Sequence, residues 1–78
     1  MKIGTVEGAV WSTRKAPCLS GQTFLVVKTP QETIIAADYV GAGTGDRVLL
    51  ITGSAASKYC MEAPVDAAVV AIMDGKEE

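Results

Sequence analysis

The sequence predicts a mainly β protein, a small five-stranded barrel of the OB type with one short helix before its last strand. Three observations carry that expectation. Apolar residues recur with period two or in short β-branched runs; glycine- and proline-rich connections separate these runs; and only one segment, rich in alanine and serine, has helical character. A small sandwich-like roll is the alternative arrangement of the same strands.

Residues 2–12 alternate cleanly. Ile3, Thr5, Glu7, Ala9 and Trp11 fall on one face, and Gly4, Val6, Gly8 and Val10 on the other. Two glycines on one face predict curvature or close backbone approach, as at a barrel corner. Residues 13–22 hold Arg14, Lys15, Pro17, Ser20 and Gly21 and read as a loop. Phe24-Leu25-Val26-Val27-Lys28-Thr29 is a second strand. The short polar link Pro30-Gln31-Glu32 pairs it as a hairpin with a third, residues 33–37. Residues 38–46 form a glycine-rich connection, and residues 47–52 a fourth strand.

Ser54 is placed to cap a helical turn through Ala55, Ala56, Ser57, Lys58 and Tyr59, and Pro64 bars its continuation. Residues 65–74 mix alanines, which favour helix, with β-branched residues, which favour strand; between Asp66 and Asp74 both parities are apolar, as in a strand covered on both faces. In so small a chain, a neighbouring subunit is the expected cover for the second face. Val65, Ala67, Val69 and Ala71 are the candidate interface residues. Gly75-Lys76-Glu77-Glu78 is a charged end expected to fray.

Seventy-eight residues make one domain, 1–78. A chain this short needs a staple: disulfides, a metal or oligomerisation. Histidine is absent, and the two cysteines, Cys18 and Cys60, have no metal-ligand spacing. With no signal peptide discernible, two reduced thiols are expected rather than a disulfide. Oligomerisation remains, and a 49% apolar composition with few aromatics is consistent with surface meant for a partner. No apolar run reaches the roughly 20 residues that span a bilayer. Net charge is −2 with scattered basic residues, unlike the concentrated stripe of a nucleic-acid binder.

No motif predicts catalysis. Gly41-x-Gly43-x-Gly45 invites comparison with a phosphate loop, but a dinucleotide fingerprint is spaced G-x-G-x-x-G and opens a helix. Here Asp46-Arg47 and a strand come next, so Gly41, Gly43 and Gly45 read as turn glycines. Without histidine, the hydroxyl and thiol side chains lack their usual base. Lys58 reads as solvated charge, and Asp38, Asp46 and Asp66 as turn or capping acceptors. Asp38 and Asp46 are too few oxygens for a hard cation. No cofactor or metal is expected. The runner-up function is an OB-type module binding single-stranded nucleic acid, with Trp11 stacking beside the basic doublet Arg14-Lys15.

Several blocks together resemble the bacterial microcompartment vertex family. The first is Met1-Lys2-Ile3-Gly4-x-Val6-x-Gly8-x-Val10-Trp11-Ser12-Thr13-x-Lys15, with Leu19-x-Gly21 after it. The next is Asp38-x-Val40-Gly41-Ala42-Gly43-x-Gly45-Asp46-x-Val48-Leu49 with Gly53-Ser54-Ala55-Ala56. The last is Pro64-Val65-Asp66-Ala67-Ala68-Val69-Val70-Ala71-Ile72-x-Asp74. The resemblance implies an OB-like barrel that forms a homopentamer, occupies the five-fold corners of a shell in the bacterial cytoplasm, meets hexameric shell proteins and catalyses nothing. It implies no membrane or nucleic-acid partner. It also places Gly53, Ser54, Ala55 and Ala56 nearest the five-fold axis, with Ser54 on the pore rim. Ser57 stands where many relatives carry arginine, which removes a charge contact from that segment.

Overall fold

The computed structural model describes residues 1–59 and 65–74, with side chains from 57 to 59 left aside. Expectations about Cys60, Pro64 and residues 75–78 lie outside the described residues. The elements are β1 (Lys2–Val10), a 3-10 turn (Pro17–Leu19), β2 (Phe24–Lys28), β3 (Thr33–Asp38), β4 (Arg47–Thr52), α1 (Ser54–Tyr59) and β5 (Ala67–Ile72). The strands close into a barrel in the order β1-β2-β3-β5-β4. Every pairing is antiparallel except that of β3 with β5. The mainly β barrel with one helix before its last strand is therefore the observed fold, and it is fully closed.

β1 closes it. Its first half pairs with β4, Ile3 opposite Leu49 and Thr5 opposite Arg47, and its second half pairs with β2, from Thr5 opposite Lys28 to Val10 opposite Phe24. Glu7 is an extra residue between Val6 and Gly8, so the register shifts there. The bulge reverses parity: Gly4 and Val6 point inward before it, Ala9 packs on the core after it, and Val10 turns outward. The simple alternation read from the sequence, with Val10 beside Val6, is corrected by this one residue. Of the two glycines on that face, only Gly4 meets a close neighbour. A Cβ there would lie 2.6 Å from Val27 Cγ1 and 2.9 Å from the Lys28 carbonyl oxygen.

The interior is aliphatic. Val6, Leu25, Val27, Ala36, Val48, Leu50, Ala67 and Val69 form one buried cluster inside the barrel. A second, smaller cluster of Ala37, Ala56, Ala68 and Val65 lies between α1 and the outside of β3 and β5. Its alanines let the helix backbone approach the sheet closely. Six residues are too few for a helix to persist in water alone, so this packing stabilises α1.

The connections at one end are tied by side chains. Asp38 Oδ1 accepts the backbone N–H groups of Val40 and Gly41, both at 3.1 Å, and of Ala42 at 3.4 Å, and Asp46 Oδ2 accepts that of Gly43 at 2.8 Å. Gly41 and Gly45 adopt positive φ, 77° and 92°, where a side chain would be strained; Gly43 does not. Gly45 N–H then donates to the Val6 carbonyl, and Val6 N–H to that of Asp46, which stitches the loop onto β1. At the other end, buried Thr29 closes the β2–β3 hairpin, its hydroxyl donating to the Glu32 carbonyl and accepting the Glu32 N–H.

This geometry makes two stability predictions. Gly4→Ala forces a methyl against a backbone carbonyl and a buried valine, and is expected to cost about 1–3 kcal/mol in denaturant unfolding at fixed protomer concentration. An unchanged midpoint would show that β1 and β2 separate without penalty. Asp38→Ala removes one acceptor from three backbone donors, Val40, Gly41 and Ala42, and is expected to cost about 1 kcal/mol, with Asp38→Asn costing less because an oxygen remains. Equal losses for the two variants would mean that charge, not acceptance of the three N–H groups, matters there.

Candidate functional site

The small-residue segment before β5 is presented at the rim of the barrel. Gly53 turns the chain out of β4 with φ of 66°, and its N–H donates to the Asp66 carbonyl at 2.8 Å. The helix begins at Ser54, so Gly53 rather than Ser54 occupies the capping position expected for the serine. Ser54 and Ala55 are exposed, while Ala56 is buried against Ala37, Val65 and Ala68. Of the four candidate rim residues, Gly53, Ser54 and Ala55 thus form an outward edge of small groups, and Ala56 anchors it.

The candidate interface residues fall elsewhere than expected. Ala67 and Val69 point into the barrel, and Val65 packs in the second cluster beside Ala56. Both parities of β5 are therefore covered largely by this chain itself, one by the barrel interior and the other by α1 and Val65. The expectation that only a neighbour could cover the second face is corrected. Ala71 alone stands in an outer row, half-buried, opposite Leu49, which in turn lies opposite Ile3. A second extra residue, Val70, sits between the pairings of Leu50 and Leu49 and turns Ala71 to that side.

Apolar surface is instead exposed on other strands. On the outside of β1, β2 and β3, Val10, Phe24, Val26 and Ile35 form a connected patch, with Val10 opposite Phe24 and Val26 opposite Ile35. Ile35 is 50% exposed and Val10 40%. None of these four was among the residues expected at an interface. The signal that singled out the last strand also marks this patch, since Phe24-Leu25-Val26-Val27 and Ile34-Ile35-Ala36-Ala37 are likewise apolar at both parities.

Chemistry has little footing. Among the described residues, no three His, Cys, Asp or Glu side chains gather where a metal could sit, and no helix is long and apolar enough to cross a membrane. Asp38 and Asp46 are engaged in their own turns. Cys18 is exposed on the 3-10 turn. The aromatics Phe24, Tyr39 and Trp11 do not line one strand face: Phe24 packs on the second cluster, Tyr39 donates its hydroxyl hydrogen to Gln22 Oε1, and Trp11 lies beyond the end of β1. That spacing offers no row of stacking platforms. What the arrangement offers is surface for association.

Comparison with known proteins points the same way. The family model described as "Ethanolamine utilisation protein EutN/carboxysome" matches residues 1–74. The carboxysome shell vertex protein CcmL of Synechococcus elongatus is 48% identical, over 95% of this chain and 84% of the relative. The bacterial microcompartment shell vertex protein PduN of Salmonella typhimurium is 39% identical, over 95% of this chain and 96% of its own length. The solved structure of GrpN, a pentameric microcompartment shell protein from Rhodospirillum rubrum, superposes with a TM-score of 0.84 at 38% identity, covering 100% of this chain and 99% of that one. With the match in residues and in fold running along nearly its whole length, this chain belongs to the EutN/carboxysome family of microcompartment shell proteins.

Proposed function

We propose that this protein is a structural subunit that forms a cyclic homopentamer and caps the five-fold vertices of a bacterial microcompartment shell. Full-length similarity to a pentameric shell protein carries this reading, with identity well above the level at which a fold alone is shared. The molecule's own features support it. Apolar residues are left on the outside of its barrel, and on this reading the chain, 1–78, is a single small domain. Its mechanism is association rather than catalysis, and it uses no cofactor.

The geometry of a shell gives such a subunit its purpose. A flat sheet of hexamers cannot close into a polyhedron without five-fold defects, and a head-to-tail contact whose rotation closes at five fills one. The finer parts of the proposal are that hexameric shell proteins are the neighbours, that the shell lies in the bacterial cytoplasm, and that Gly53, Ser54 and Ala55 approach the five-fold axis. Small, exposed residues at that edge allow five backbones to converge without clashing. Ser54 is then the rim side chain, held outward because Ala56 fixes the helix on the barrel.

Co-production with a hexameric shell protein, followed by electron microscopy, tests the role. Closed polyhedra are expected when this chain is present, and open sheets or tubes when it is omitted. Equal closure without it would remove the vertex assignment. Ser54→Trp tests the rim: five indoles at one axis cannot be accommodated, so native mass spectrometry should show a loss or change of ring stoichiometry. An unaltered ring would place Ser54 away from the axis.

A further inference from the structure

We infer that two separate apolar faces of the barrel are the two halves of the contact between neighbouring copies. The outer patch of β1, β2 and β3 around Ile35 receives the patch around Ile3 from the next copy. This inference rests on the pentamer proposed above and names the surfaces that would build it.

Symmetry sets the requirement. A ring with an odd number of copies contains no two-fold axis between neighbours, so each copy must present two different faces. A single self-complementary patch would stop at a dimer. Among the described residues, two disjoint sets of outward apolar groups are adjacent in register across strands. The first comprises Val10, Phe24, Val26 and Ile35, adjacent in register on three consecutive strands. The second runs across the other end of β1, where Ile3, 41% exposed, lies opposite Leu49 and Leu49 opposite Ala71. β1 contributes to both: the parity reversal at Glu7 turns Val10 outward as Ile3 is, and exposed Thr5 and Glu7 lie between the two patches.

Both faces carry hollows into which side chains of a neighbouring copy can seat. The first face carries a hollow of about 200 Å³ lined by Leu19, Phe24, Ile35, Val65, Asp66 and Ala67. The second also carries a hollow, of about 430 Å³, beside Met1, Ile3 and Leu49, and its Ile3 and Met1 are exposed. Val10, Phe24, Val26 and Ile35 on the first face and Ile3, Leu49 and Ala71 on the second are all apolar, as expected of groups that lose water on association. A second copy is the occupant because the chain is similar throughout its length to a protein described as pentameric, and because two unlike faces on one chain are the minimum such a ring needs. Ala71, expected at the interface from the sequence, falls on the second face, whereas Val65 is buried beneath the first face's hollow.

Two single substitutions test the pairing, Ile35→Glu on the first face and Ile3→Glu on the second. Both positions are solvent-exposed in the single chain, and circular dichroism with thermal melting checks that each variant folds; Ile35→Ser and Ile3→Ser serve if a glutamate variant does not. Each variant alone should be a monomer by native mass spectrometry at tens of micromolar, under conditions where the unsubstituted chain is a pentamer. Mixed in equal amounts, they should form a heterodimer and nothing larger, because one intact face of each remains. A pentamer from either variant alone would overturn the assignment of that face. Two monomers with no heterodimer would overturn the pairing of the two faces. An unsubstituted chain that is itself monomeric would instead contradict the pentamer on which the inference rests.

Discussion

The rest of the molecule depends on one strand pairing with two partners. β1 is hydrogen-bonded to β4 along its first half and to β2 along its second, and the barrel is closed only because it spans that junction. Two local features make the span possible. Gly4 has no Cβ, so Val27 and the Lys28 backbone come within a distance no side chain would permit. Glu7 adds one residue, which bends the strand and changes which side chains face inward. The loop between β3 and β4 then locks onto Val6 through Gly45 and Asp46, at the point where β1 passes from one partner to the other.

That closure has consequences outside the barrel as well as inside it. A lumen bounded by five short strands holds only small and medium aliphatic side chains, so the core is built of valine, leucine and alanine. The helix is attached outside through alanines and lies against β4 and β5, with Ala37 of β3 in the same cluster. Apolar groups on β1, β2, β3 and β4 remain on the surface. In a chain too small to wrap itself, that remainder is the material for assembly. Turn chemistry, by contrast, is self-contained: Asp38 and Asp46 serve the glycine-rich connection rather than a ligand.

Much of this was legible in the residues, because strand character depends on local period and turns on local chemistry. The five strands, the hairpin at Thr29 to Glu32 and the short helix after Gly53 are all set by neighbours within a few positions. The facing of side chains was less accessible. Nothing in Glu7 or Val70 announces a bulge, yet each shifts the parity of the residues after it, so Val10 and Ala71 face where alternation alone would not put them. The cover over β5 escaped sequence reading for a related reason. Residues Ala56 and Ala68 are distant in sequence, and only the closed topology brings them together. The number five is written in no residue; it entered through resemblance across the whole chain.

The central claim is that this barrel exists to close a ring, and the mass of the native assembly tests it most directly. Native mass spectrometry of the unsubstituted chain at micromolar concentration should give a single dominant species of five copies, persisting on dilution. A stable, folded monomer under the same conditions would contradict the account.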